Sequence, residues 1–457
     1  MKHPLEPFKI KVIEPLRQVG REKRDNIIRE AGFNLFQVPA EAVFVDLLTD
    51  SGTSAMSQHQ WAGMMEGDES YAQSQNYFHL KETIKEIMGF DFVIPTHQGR
   101  AAENILFHTI LKEGDCVPNN SHFDTTRANV EFLQGIARDC VIDEAYHPEL
   151  ELPFKGNIDL NKLENTFAEY GDERIPLVMM TLTNNSGGGQ PVSMQNIRDV
   201  HRICRKHSVP LFFDCARFAE NCYFIQQREP EFAQKSIPEI ARLLFSYADG
   251  CLMSAKKDAL VNMGGFIALN DADLATRLQN LLILQEGFPT YGGLAGRDLE
   301  AMARGLKEVL EEDYLHYRVE QVAYLGKLLE QKGIPVMKPI GGHAVYIDAR
   351  KLLPAIPQSQ FPGQALAVAL YREGGIRTVE IGSLMFAHHN LQDDTWEYPE
   401  MELVRLAVPR RVYTGTQLEF VAECAGKIQK NKSKIRGLKL KYEPPFLRHF
   451  TAILEEH

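Results

Sequence analysis

The chain is 457 residues long, 44% hydrophobic and 24% charged, enough for a sizeable core and too long for one ordinary core, so a large and a small domain are expected. Its formal net charge of -11 argues against a nucleic-acid-binding protein, which shows a basic face. Seven scattered cysteines without a CxxC pair argue against a disulfide framework or a zinc site and point to reduced thiols in a cytoplasmic setting. The opening MKHPLEPFKIKVIEP lacks the apolar run of a signal peptide, and no stretch approaches the roughly 20 apolar residues that span a bilayer, so no membrane partner is expected.

In chain order, residues 1–50 read as an N-terminal arm and part of the small domain, with a helical stretch from Arg17 to Gly32 and a strand-like run from Val43 to Leu47. From about residue 90, apolar runs alternate with amphipathic helical patterns. The runs are Phe92 to Ile94, Leu177 to Met180, Leu211 to Phe213 and Gly250 to Met253; the helices include Ala101 to Leu111 and Met194 to His207. This alternation predicts an α/β fold with a mostly parallel sheet over residues 51–310. A charged helical segment from Asp298 to Lys332 follows, then a glycine-led strand from Gly341 to Asp348, and residues 311–457 read as a smaller α+β unit. The aromatic stretch YEPPFLRHFTA, Tyr442 to Ala452, predicts a docked C-terminus.

Several segments have two readings each. Ser254-Ala255-Lys256-Lys257-Asp258 follows the strand GCLM; it is either a surface turn or the seat of a lysine whose pKa a neighbouring cation depresses, making it a nucleophile. Asp214, ending the strand LFF about forty residues earlier, either caps a helix or holds the proton of a pyridine nitrogen. Arg217 stands three residues on. Thr96-His97-Gln98-Gly99-Arg100 opens a helix, either as an ordinary helix start or as a phosphate grip on free amides and the positive dipole end. The polar turns Leu48 to Thr53 and Asn184 to Gln190 are either plain loops or further walls of a site at the strand ends.

Taken together, DLLTDSGTSAMS (Asp46 to Ser57), GDESYA (Gly67 to Ala72), PTHQGRAAENILF (Pro95 to Phe107), FDCARFAENCYFI (Phe213 to Ile225), YADGCLMSAKKD (Tyr247 to Asp258), NMGGF (Asn262 to Phe266), YGGLAGRD (Tyr291 to Asp298), GGHAV (Gly341 to Val345), RRVYT (Arg410 to Thr414) and LRHFTA (Leu447 to Ala452) resemble the tryptophanase/tyrosine phenol-lyase family of β-eliminating pyridoxal-phosphate (PLP) lyases over nearly the whole chain. The resemblance implies the aspartate-aminotransferase-like PLP fold type I, with a mostly parallel seven-stranded sheet in the large domain. It also implies a homotetramer with active sites at subunit interfaces and a small amino-acid substrate.

The resemblance further implies residue roles. Lys257 resembles the Schiff-base lysine that also removes the Cα proton. Gln98, Gly99, Arg100, Ser254 and Lys256 resemble the phosphate-side residues, and Phe123 the aromatic that stacks on the cofactor ring. Asp214 and Arg217 match the partners of the pyridine nitrogen and the phenolic oxygen. Arg405 resembles the grip on the substrate carboxylate, with Asn185, Thr49 and Ser51 assisting. Tyr71 resembles the acid that protonates the leaving group and Tyr291 its companion, both at an interface. The Gly52 carbonyl, Glu69 and Asn262 resemble a site for a monovalent cation such as potassium.

Three positions separate the branches. Phenol-lyases carry Thr, Arg and Phe where this chain has Asp124, Ile381 and His449. An indole N–H is a donor and takes an acceptor such as a carboxylate, so tryptophan is the expected substrate; tyrosine or a cysteine derivative is the alternative. Read alone, Asp124 is a cap and His449 a packed histidine. Three departures stand out: LMFAHHNLQDD after Ser383, the extra glycine in NNSGGG, and Ala101 in place of a glycine after Arg100. The first bears on substrate range more than on reaction type.

Overall fold

The computed structural model describes residues 4–390 and 395–457. Its large unit holds the strands β1 (Phe92–Thr96), β2 (Cys116–Asn119), β3 (Ile136–Asp139), β4 (Val178–Thr181), β5 (Leu211–Asp214), β6 (Gly250–Met253) and β7 (Gly265–Leu269). Along each strand, successive side chains enter opposite cores. Leu211 and Phe213 face one side and Phe212 the other; Cys251 and Met253 face one side and Leu252 the other. A sheet covered on both faces needs apolar residues at successive positions, which is why the central strands β4, β5 and β6 carry apolar runs. Each buried Phe or Leu contributes about 1.5–3 kcal/mol.

The ladder differs from the expected seven mostly parallel strands. Five strands are hydrogen-bonded in the order β1–β7–β6–β5–β4. β4, β5 and β6 are parallel, whereas β7 runs antiparallel to both of its neighbours. β2 and β3 form a separate parallel pair. The join is made by a side chain: Asn120 Nδ2 donates to the Thr181 carbonyl at 2.9 Å, and the Thr181 amide donates to Asn120 Oδ1 at 2.9 Å. One amide side chain thus takes the place of ladder bonds at the end of β4.

The helices that position the site are α1 (Gly99–Ile110), α2 (Asp124–Phe132), α3 (Phe218–Arg228), α4 (Gly296–Glu308) and α5 (Glu312–Gln331). The helix expected over Met194–His207 has those bounds. The single helical segment expected from Asp298 to Lys332 is instead α4 and α5, broken at residues 309–311. The first half of α5 (Leu315, Val319) packs in the large core and the second half (Val322, Leu325, Leu329) in a second core shared with residues 28–47 and the C-terminal third.

That second unit holds an antiparallel sheet of β8 (Ala344–Asp348), β9 (Val379–Ile381) and β10 (Leu403–Ala407), in the order β9–β10–β8. Val45–Asp46 pairs in parallel with Ile376–Arg377, so the N-terminal segment belongs to this unit. The C-terminus is docked: Leu438–Tyr442 pairs with Ile453–Glu456, and the Leu454 amide donates to the Gly32 carbonyl at 2.9 Å. Among the described residues, no helix is long and apolar enough to cross a membrane.

Candidate active site

β5 and β6 end side by side, with Asp214 opposite Leu252. The loops that follow therefore meet at the carboxyl edge of the sheet, where α/β proteins place their ligands. Burial, then the Arg217 guanidinium, push the Lys257 amine down to about 8, against the opposing pull of Asp50, Asp214 and Glu103. A sizeable neutral, nucleophilic fraction is thus available near neutral pH. The cation that depresses it comes from the neighbouring loop. Lys256 is itself lowered, by burial and by Arg100. Burial raises the Asp214 carboxyl, with Lys257 partly offsetting it.

On the other side of Lys257, three backbones converge. A Cβ on Gly99 would stand 2.6 Å from Ser254 Cβ, and one on Gly265 would stand 2.6 Å from the Gln98 carbonyl carbon and 2.8 Å from the Gly99 nitrogen. Only glycines allow this approach. Gln98 precedes α1, so the free amides of a 12-residue helix open here, next to Ser254, with Lys256 and the exposed Arg100 supplying positive charge. The donor set suits a phosphate. A half-buried amine, a half-buried carboxyl and a phosphate-sized cradle along one sheet edge fit the requirements of PLP.

Below this edge lies an ionic network that the sequence reading missed. Arg217 grips Asp50 with Nε at 3.0 Å and Nη2 at 2.7 Å. Arg410 reaches Asp50 at 2.8 Å, Glu220 at 2.9 Å and Asp258 at 2.8 Å, and Arg318 reaches Glu220 at 2.9 Å. All six side chains are buried. Although burial opposes it, Arg217, first, and Arg410 hold Asp50 well below the usual carboxylate range. The one available signal was Glu220, a charge inside a helix that is otherwise buried along most of its length.

Arg405, on β10, donates to Asn185 Oδ1 at 2.8 Å and to the Leu48 carbonyl at 2.9 Å, while its buried Nε has no partner. Asn185 is held in turn by Tyr346, whose hydroxyl donates to its carbonyl at 2.7 Å, and by His343 Nε2 at 2.9 Å. Burial, then Arg217, push His343 well below its ordinary range, so it is neutral. Neither His343 nor Tyr346 was singled out by sequence. Thr49 and Ser51 share the adjoining turn, where the Ser51 amide donates to Thr49 Oγ1 at 3.1 Å. Ile381 is buried on β9 in an apolar cluster with Phe36, Leu48, Met385 and Phe386.

Asp124 and His449 are brought together from opposite ends of the chain. His449 Nε2 lies 3.1 Å from Asp124 Oδ2, both side chains are buried, and His449 Nδ1 has no partner. Phe123, half-buried, immediately precedes α2. Glu103 is bonded to the two residues that follow Asp124. It accepts from Thr125 Oγ1 at 2.8 Å and Thr126 Oγ1 at 2.5 Å. Burial pushes it up to about 7, the two threonines oppose this, and Asp214 and Asp124 add to it.

Other candidates lie apart. Tyr71 is 70% exposed and packs on Tyr291 and Phe288, with ring centroids at 5.2 and 5.9 Å; its hydrogen bond with Tyr291 raises its phenol. Asn262 Nδ2 donates to the carbonyls of Gly52 at 2.9 Å and Ser54 at 3.4 Å, whereas Glu69 pairs at the surface with Arg297 at 2.9 Å. With an amide nitrogen already on the Gly52 carbonyl and Glu69 engaged elsewhere, the donors found in this chain do not match a cation site.

The family described as Beta-eliminating lyase matches residues 46–424. The chain is 55% identical to a tryptophanase of Salinibacter ruber over 450 residues, covering 98% of this chain and 95% of that protein. It is 52% identical to a tryptophanase of Hyphomonas neptunium over the full length of both, and 49% identical to a tyrosine phenol-lyase of Symbiobacterium over 98% of each. Among solved structures, a chain of the SepCysS–SepCysE N-terminal domain complex superposes with a TM-score of 0.55 over 85% of this chain and 95% of that one; at 15% identity this likeness concerns the fold alone. With a family match spanning the sheet, the lysine loop and β10, and with full-length relatives at these identities, this chain belongs to the β-eliminating lyases, a family that implies PLP chemistry.

Proposed function

We propose that this chain is a PLP-dependent fold type I lyase that cleaves L-tryptophan to indole, pyruvate and ammonium. The observation that carries this reading is the buried Asp124–His449 contact at 3.1 Å. A carboxylate is the acceptor an indole N–H needs.

Ser254, Lys256, Arg100, Gln98 and the Gly99 amide would hold the phosphate, Phe123 would lie at the ring, Arg217 would serve its phenolic oxygen and Asp214 would keep a proton on its nitrogen. When bound, PLP supplies an aldehyde for the substrate amine and a ring that withdraws electrons from Cα. Arg405 grips the substrate carboxylate, with Asn185, Thr49 and Ser51 around it, and fixes the Cα–H toward Lys257. Lys257 takes that proton as its neutral amine. Asp124, oriented by His449, accepts the indole N–H as charge develops on the ring, and Ile381 offers the ring an apolar wall. Tyr71, with Tyr291, protonates the indole carbon from a neighbouring copy of the chain. Its exposure beside Phe288 supports an interface there, and we place the enzyme as a cytoplasmic homotetramer. No step is routed through a cation.

Asp124→Ala tests the reading. Turnover of tryptophan should fall at least about 100-fold, the size of a lost catalytic hydrogen-bonding group, while S-ethyl-L-cysteine, which has no ring N–H, stays within about threefold. Equal losses on both substrates would remove Asp124 from this role. Phenol release from tyrosine by the parent enzyme, without indole from tryptophan, would move the assignment to the phenol-lyase branch.

A further inference from the structure

The segment after Ile381 packs beside the turn Arg448–Phe450. It begins as a four-residue helix, Ser383–Phe386, that is gripped at both ends. At the amide end, Glu380 accepts from the amides of Leu384 at 2.8 Å and Met385 at 3.1 Å, and Glu402 accepts from the Ser383 amide at 3.1 Å and its hydroxyl at 2.5 Å. At the carbonyl end, one guanidinium does the work: Arg448 donates through Nε to the Leu384 carbonyl at 2.7 Å, and through Nη2 to the carbonyls of Ser383 at 2.9 Å and Ala387 at 2.7 Å. Its Nη1 pairs with Glu443 at 2.8 Å.

The Cζ of the same guanidinium lies over the ring of Trp396, 5.3 Å from its centroid. Trp396 is on the second strand of a hairpin, His388–Asn390 with Thr395–Glu397, and stacks on His389 of the first strand at 4.9 Å. Arg448 is therefore one point where the hairpin meets the rest of the molecule, through a cation–π contact. Its neighbour in the chain is His449. The turn Arg448–Phe450 is entered through Leu447 at φ +47°, a left-handed conformation that costs a non-glycine residue about 1 kcal/mol or more and that persists only where its surroundings impose it. The fork of Arg448 on three carbonyls is such a constraint.

We propose that Arg448 is the positioning residue for the His449–Asp124 pair and that, through Arg448, Trp396 makes the hairpin part of the substrate-discriminating apparatus. The proposal rests on the reading that this pair receives the indole N–H. It also accounts for the choice of arginine. A lysine keeps the charge, but it lacks the planar fork that serves three carbonyls and the flat face that stacks on Trp396.

The test uses the holoenzyme in a Trp61→Phe background, which leaves Trp396 as the only tryptophan, Trp61 being exposed. Arg448→Lys should lower the ratio of kcat/KM for L-tryptophan to that for S-ethyl-L-cysteine about tenfold or more, because only the first uses the His449–Asp124 pair. It should also raise acrylamide quenching of Trp396 emission about twofold, reporting the undocked hairpin. Trp396→Leu removes the ring without touching the buried carbonyls, so it remains informative if the lysine variant folds poorly; it should lower the same ratio about threefold. A ratio unchanged within twofold in both variants, or a parallel fall on both substrates, overturns the proposal while leaving the tryptophan reading in place. A parent enzyme that releases no indole overturns both.

Discussion

Arg410→Met should cost the fold about 4 kcal/mol, the middle of the range for removing one partner of a buried ion pair. In the parent chain the guanidiniums of Arg217, Arg318 and Arg410 balance the carboxylates of Asp50, Glu220 and Asp258, all buried. Without Arg410, Asp50 keeps its two bonds from Arg217 and Glu220 keeps Arg318. Asp258 keeps only the Ala219 amide, at 2.9 Å. Burial already raises the Asp258 carboxyl, and Arg410 is the largest influence opposing it, so the variant relieves the uncompensated charge by taking up a proton there. A raised folded-state pKa gives stability that is present at low pH and lost as pH rises through it. The penalty should therefore be smaller at about pH 6 than at about pH 8, and Asp258→Asn added to Arg410→Met should recover about 2 kcal/mol by removing the orphan charge. Urea unfolding of the apoprotein, followed by circular dichroism at both pH values, measures all three. Arg205→Met, which removes a surface pair with Asp249 at 2.7 Å, is the control and should cost no more than about 1 kcal/mol. A loss for Arg410→Met no larger than the control, or one insensitive to pH and to Asp258→Asn, would refute the view that this network is a closed charge balance.

Two further outcomes follow from the site. Gly99→Ala should weaken PLP binding at least about tenfold at little cost in backbone strain, because the new Cβ stands 2.6 Å from Ser254 Cβ in the phosphate cradle and overpacking typically costs about 1–3 kcal/mol; titration of the apoprotein with PLP, followed by its visible absorbance, reads this directly. Burial holds the Glu103 carboxyl at about 7 against an ordinary 4.5, a difference of about 3 kcal/mol at about 1.4 kcal/mol per pH unit. That stability is fully present below pH 4.5 and lost as pH rises through about 7, so Glu103→Gln should gain on the parent apoprotein by up to about 3 kcal/mol from acid to about pH 8. Parallel unfolding midpoints across that range would contradict it.

The strands β1, β4, β5 and β6 were legible because a sheet buried on both faces has to write apolar residues consecutively. β3 was not: its residues alternate between exposed and partly exposed at the sheet's edge, so Ile136–Asp139 carries no apolar run. The break between α4 and α5 was also hidden, since residues 309–312 are Val, Leu, Glu and Glu, with no proline or glycine to mark a stop. Sheet order was illegible in principle, because the antiparallel return of β7 depends on pairing with β1 between residues as far apart as Phe92 and Leu269.

The sequence by itself determined which chemistry the chain can carry: an amine beside a strand-end aspartate, a glycine at a helix start, an arginine on a late strand, and the Asp124, Ile381 and His449 identities. These are choices of residue type, and local spacing with family resemblance is enough to read them. Only the tertiary structure decided what those groups become. Burial and then Arg217, from another loop, depress Lys257; Asp50 and Arg410 gather with Glu220, Asp258 and Arg318; and Arg448 ties the hairpin to the turn that holds His449. The physical reason is burial. Away from water, charges lying up to 360 positions apart in sequence interact strongly enough to set each other's ionisation, and which charges are buried together is fixed by packing alone.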